Sequence, residues 1–182
     1  MRKGLLVAVL LAGVLMAGAA WFEPWRLFTS STVDEAVPTS VSTSVPTSAT
    51  SPTSAGTSAP TRSATPVPQD EVLARGSFES AEHETSGRAV VLALADGRRF
   101  VRLEDLATSD GPDLHVWLTD RPSGGEWGSY DDGRYVRLGE LKANNGSHNY
   151  EIPAGARLDG LTSVVVWCDR FDVAFGTAPV EL

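Results

Sequence analysis

The sequence holds a single cysteine, Cys168, among its 182 residues. An intrachain disulfide is therefore excluded, and packing and hydrogen bonds must hold whatever fold forms. Methionine occurs only at Met1 and Met16, both within the first 28 residues. That placement removes the axial ligand a blue-copper centre usually takes beside two His and one Cys. The three histidines, His83, His115 and His148, are scattered and show no metal-ligand spacing. A Gly-x-Ser-x-Gly elbow, a phosphate-cradling glycine loop and the acidic calcium loop of an EF-hand are all missing. Their absence removes the simplest hydrolase, nucleotide and calcium-sensor readings. Excess positive charge is lacking as well. Up to Asp70, Arg2, Lys3, Arg26 and Arg62 offset Glu23, Asp34, Glu35 and Asp70, so the formal charge of −8 belongs wholly to residues 71–182. A part so acidic has no clustered Lys and Arg for phosphate, so no nucleic-acid partner is expected.

What is present divides the chain into three. Residues 1–28 read as an N-terminal membrane anchor. Within it, residues 4–22 form an unbroken apolar run, which at ~1.5 Å per residue nearly matches a hydrocarbon core of ~30 Å. Arg2 and Lys3 before the run place the N-terminus in the cytoplasm, and Trp21, Phe22 and Trp25 suit the outer headgroup belt. The expectation is a single-pass cell-membrane protein with an extracytoplasmic domain. A cleaved secretory signal is the rival reading, since residues 17–20 (AGAA) are small enough for cleavage; the product would then be secreted. Residues 29–70 read as a disordered Ser/Thr/Pro-rich linker, in which Pro-Thr-Ser recurs at Pro38, Pro46 and Pro52. Extended at ~3.1 Å per residue it would reach on the order of 120 Å, enough to carry a domain away from a membrane. Its hydroxyls suit O-linked sugar.

Residues 71–182 show period-two apolar patterns without helical periodicity. Residues 89–95 (AVVLALA) and 99–103 (RFVRL) flank Asp96-Gly97, which predicts a hairpin with a type I′ turn. Further strands are expected at 113–118 (DLHVWL), 135–138, 147–152, 163–168 (SVVVWC) and 173–175, with a tight turn at Asn145-Gly146. The run SVVVWC is so rich in β-branched and aromatic residues that it predicts a central buried strand, paired with 173–175. Short strands at this spacing predict an all-β domain, an antiparallel β-sandwich or partly closed barrel.

On an extended 163–168 segment, Cys168 shares a face with Val164 and Val166. It is either a small buried hydrophobe or a redox thiol or soft ligand. His115, on the face opposite Leu114 and Val116, is the histidine with the best claim to a second ligand position. The acidic pairs Asp110/Asp113 and Asp131/Asp132 read as solvated turn carboxylates. In the loop 121–133 (RPSGGEWGSYDDG), Trp127 and Tyr130 either form a partner- or sugar-binding platform or fold back over the core. Asn145-Gly146-Ser147 matches an N-glycosylation acceptor, with the turn as a sufficient structural cause.

Several short segments occur in order from about residue 76 to 182. They are DGPDL at 110–114 followed by VWL, LGELK at 138–142, YEIP at 150–153, and SVVVWC with Phe171, Val173, Phe175 and Gly176 after it. Together they resemble the electron-transfer DM-thirteen domain family. The resemblance implies a β-sandwich, often exported or membrane-attached, whose signature cysteine acts as a bare thiol or as a ligand to a prosthetic group such as haem. Cys168 falls at that cysteine. The implied role is a redox accessory domain that works with an unidentified redox protein partner. A non-catalytic adhesion module displayed on a flexible stalk is the alternative.

Overall fold

The computed structural model describes residues 29–40 and 69–182, together with Ala12, Gly13, Met16 and Gly18, which are helical. Among the described residues no helix is long and apolar enough to cross a membrane; the expected anchor and the greater part of the expected linker lie outside them. The described residues form ten strands: β1 (Thr32–Asp34), β2 (Glu71–Ser77), β3 (Glu79–Ser80), β4 (Ser86–Ala93), β5 (Arg99–Ala107), β6 (Leu114–Thr119), β7 (Tyr135–Glu140), β8 (Asn145–Ile152), β9 (Ser163–Cys168) and β10 (Val173–Pro179). They make two five-stranded sheets, ordered β1-β8-β5-β4-β2 and β3-β10-β9-β6-β7.

The sheets face each other across one core, as period-two patterning requires of strands with one apolar face. Ala89, Val91, Val101 and Leu103 come from the first sheet, and Leu114, Val116, Leu118, Val164, Val166, Cys168 and Phe175 from the second. The expected all-β architecture is therefore present, although the first sheet is mixed, because β1 pairs parallel with β8. Strand β9 is the central strand of its sheet and buried at every position. Its second face is apolar as well: Val165 and Trp167 pack with Trp117, Ala174 and Tyr130 in a separate cluster. Burial on both faces explains why SVVVWC carries no polar alternation.

Three expectations are corrected. The β4–β5 hairpin forms, but only Gly97 takes a positive φ (88°), and its N–H donates to Leu94 O at 2.9 Å. A type I′ turn would need positive φ at Asp96 too, so this is a longer connection ending in one left-handed glycine. Asn145-Gly146 is not a turn; both residues lie inside β8, paired with Ala107 and Leu106 of β5. Lastly, the expected disordered linker does not begin at residue 29. Residues 32–34 are a strand, because the β8 edge offers main-chain partners and Asn144, Lys142 and Arg102 supply polar ones. Composition cannot register such distant partners.

Candidate functional site

Cys168 ends β9 and is fully buried, opposite Leu114 of β6 and Val173 of β10. The chain then turns through Asp169, Arg170, Phe171 and Asp172, with Phe171 N–H donating to Cys168 O at 3.3 Å and Asp172 held at φ 51°. A non-glycine residue in that region is uncommon and stores backbone strain. The main chain of Phe171, Arg170 and Asp113 lies near enough to bias the titration of the thiol. Burial is the largest influence on this thiol and pushes its pKa up; these main-chain neighbours act in the opposite direction without cancelling it. Cys168 is therefore held as the neutral thiol at pH 7.

The structure does not bring His115 and Cys168 together. His115 pairs with Trp167, and its ring lies on the outer face of the sheet whereas the sulfur faces the core. Its Nε2 is 2.9 Å from Asp113 Oδ1 and 3.5 Å from Asp169 Oδ2. These three residues offer ligand atoms within 4.8 Å of one another. Arg137 already engages both oxygens of Asp169, at 2.5 and 3.2 Å, while its guanidinium lies 4.7 Å from the Trp117 ring centroid. The cluster is thus an ion-pair network on the outer face in which Arg137 already occupies both Asp169 oxygens that a cation would need. No spacing in the sequence announces it, since residues 113, 115, 137 and 169 meet only through strand pairing. His148, by contrast, faces inward and is fully buried; burial lowers its pKa, and its Nδ1 has no hydrogen-bond partner among the described residues.

Beside the turn lies a cleft of about 510 Å³, walled by Thr29, Ser31, residues 110–114 and residues 140–144. Two of the wall residues, Asp113 and Leu114, also cover the sulfur. Haem does not fit this cleft. Among the described residues, Asp110, Asp113 and Glu140 outnumber the one lining cation, Lys142, no His, Cys or Met lines the cleft, and a porphyrin needs apolar walls with an axial donor. Of the two loop aromatics, Trp127 is 51% exposed, and its carbonyl accepts from Ala174 N–H at 2.8 Å. Tyr130 is not a surface platform. It is fully buried, closing the outer face over Trp117 and Trp167, and its hydroxyl accepts from Gly125 N–H at 2.9 Å. A large aromatic surface is worth ~2 kcal/mol or more in a core, which outweighs display when an apolar cluster lies within reach.

Two face-packed sheets with a strand-terminal cysteine under a tight acidic turn define a small β-domain of thiol-bearing type. The family model for "Electron transfer DM13" matches residues 77–180, more than half of the chain. The chain belongs to that family, and its domain is of an electron-transfer-related kind. Comparison with curated proteins and with solved structures finds no match.

Proposed function

We propose that this domain exchanges electrons with a redox protein partner outside a membrane, attached through residues 1–28, and that Cys168 is the group through which it does so. The single observation supporting this reading is the placement of Cys168, buried at the end of β9, beneath the strained turn at Asp172 and beside Leu114 of the cleft wall, in a domain of the electron-transfer family. With its proton in place the thiol is inert, which protects it in an oxidising compartment. A partner that displaces the 110–114 loop or the strained turn at Asp172 would expose a sulfur whose anion the nearby main chain already favours. Haem takes no part in this reading.

Protein-film voltammetry of the full chain, beside Cys168→Ser, tests it. A response present in the native chain and absent from the variant is expected. No response in the native chain, or the same response in both, overturns it.

Exposed Trp127, next to Gly124, Gly125 and Glu126 on a shallow surface, supports a second reading as a binding module. Under it, Trp127→Ala abolishes retention on isolated cell envelope while Cys168→Ser has no effect; unchanged retention of Trp127→Ala sinks it.

A further inference from the structure

The N-terminal side of the Ser/Thr/Pro-rich stretch is built into the domain. Ser31 N–H donates to Asn144 Oδ1 at 2.7 Å, and Asn144 Nδ2 donates to Thr29 O at 3.3 Å. Glu35 N–H donates to Ser147 O at 2.8 Å, and Arg102 Nη1 donates to Glu35 O at 2.9 Å. The Glu35 carboxylate accepts from Lys142 Nζ at 2.7 Å and from Asn149 N–H at 2.6 Å. Asn144 and Arg102 are buried with this segment in place, and undocking it would exchange their hydrogen bonds to Thr29, Ser31 and Glu35 for water.

Residue 146 carries an independent mark of the same contact. Gly146 has φ 100°, and a Cβ there would lie 2.2 Å from Val33 O. Only glycine lets the β1 backbone approach this closely. Where the docked segment ends, Ser40 N–H donates to Asp70 Oδ2 at 3.1 Å, and Asp70 Oδ1 in turn accepts from Ala95 N–H at 2.8 Å. The chain therefore passes position 40 and position 70 at one place on the domain.

We propose that residues 29–40 are a docked strap that closes the Ser/Thr/Pro-rich stretch into a side loop, so that its length adds nothing to the reach of the domain. A stretch whose two ends are hydrogen-bonded together cannot act as a spacer in series. Whatever precedes Thr29 is then joined directly to the cleft end of the domain, where Thr29 and Ser31 form part of the wall. The domain works close to its N-terminal attachment, and release of the strap is the one event that converts the loop into reach, on the order of 120 Å when extended.

Energy transfer between dyes on cysteines introduced at Leu27 and Ala154 of the full chain tests this, compared with a chain in which residues 41–68 are duplicated. The strap predicts the same efficiency for both lengths. It also predicts that Glu35→Pro, which removes the Glu35 N–H and carboxylate together, makes the efficiency lower and dependent on length. Efficiency that falls on duplication in the otherwise native chain overturns the proposal. Should Glu35→Pro unfold the domain, Gly146→Ala provides the second release variant, and the comparison of native and duplicated chains stands without either.

Discussion

Replacing Cys168 by alanine and by serine separates two roles of the sulfur by the sign of a difference. Either change removes one large atom from the cluster around Val164, Val166, Leu114 and Phe175, which costs about 1 to 2 kcal/mol. The variants then part. If the sulfur only fills space, serine buries a hydroxyl among aliphatic side chains and falls below alanine by about 1 to 3 kcal/mol. If the main chain at Phe171, Arg170 and Asp113 favours an acceptor at this position, the hydroxyl oxygen supplies one, whereas alanine does not. Each net hydrogen bond is worth about 0.5 to 1.5 kcal/mol, so serine should equal or exceed alanine. Urea titration followed by far-ultraviolet circular dichroism, with midpoints compared at a common slope, reads the difference directly. Serine less stable than alanine by about 1 kcal/mol or more would refute main-chain donation to this position.

Three more predictions follow from burial and charge. His148 has a folded pKa below its ordinary 6.5, mainly through burial, so the unfolded chain binds its proton first and stability falls as pH drops below about 6.5; His148→Leu should flatten that part of the stability–pH curve. Glu35 is pushed upward by burial, but Lys142 and Asn149 outweigh this and hold its pKa below the ordinary 4.5. Its contribution is therefore complete above about pH 4.5 and is lost as pH falls through the folded value, and chemical denaturation should show the advantage over Glu35→Gln vanishing at the acid end. Gly76→Ala places a Cβ 1.9 Å from Pro179 O; overpacking of this kind costs about 1 to 3 kcal/mol, and a thermal midpoint unchanged from the native chain would contradict the close approach of β2 and β10.

Strand identity was legible because it is local. The runs DLHVWL and SVVVWC carry their periodicity and β-branched content within six residues, and β6 and β9 form where those patterns lie. The division of Val164, Val166 and Cys168 from Val165 and Trp167 follows from the same alternation, and the two core clusters respect it. The weakly apolar β1, β2 and β3 were not legible, since each is an edge strand stabilised by pairing with an interior neighbour rather than by its own composition.

By itself, then, the sequence determined an all-β domain, a lone cysteine facing the core, and the ordered motifs that mark its family, because short-range periodicity and residue order are properties of the chain. Only tertiary structure decided that Tyr130 is buried while Trp127 is not, that His115 lies across the sheet from the sulfur, and that residues 32–34 belong to the domain. Each of those outcomes depends on partners between 11 and more than 100 residues away, such as Thr119 for Tyr130 and Ser147 for Glu35. Chain closure at that range is set by packing of the whole domain, which no local pattern encodes.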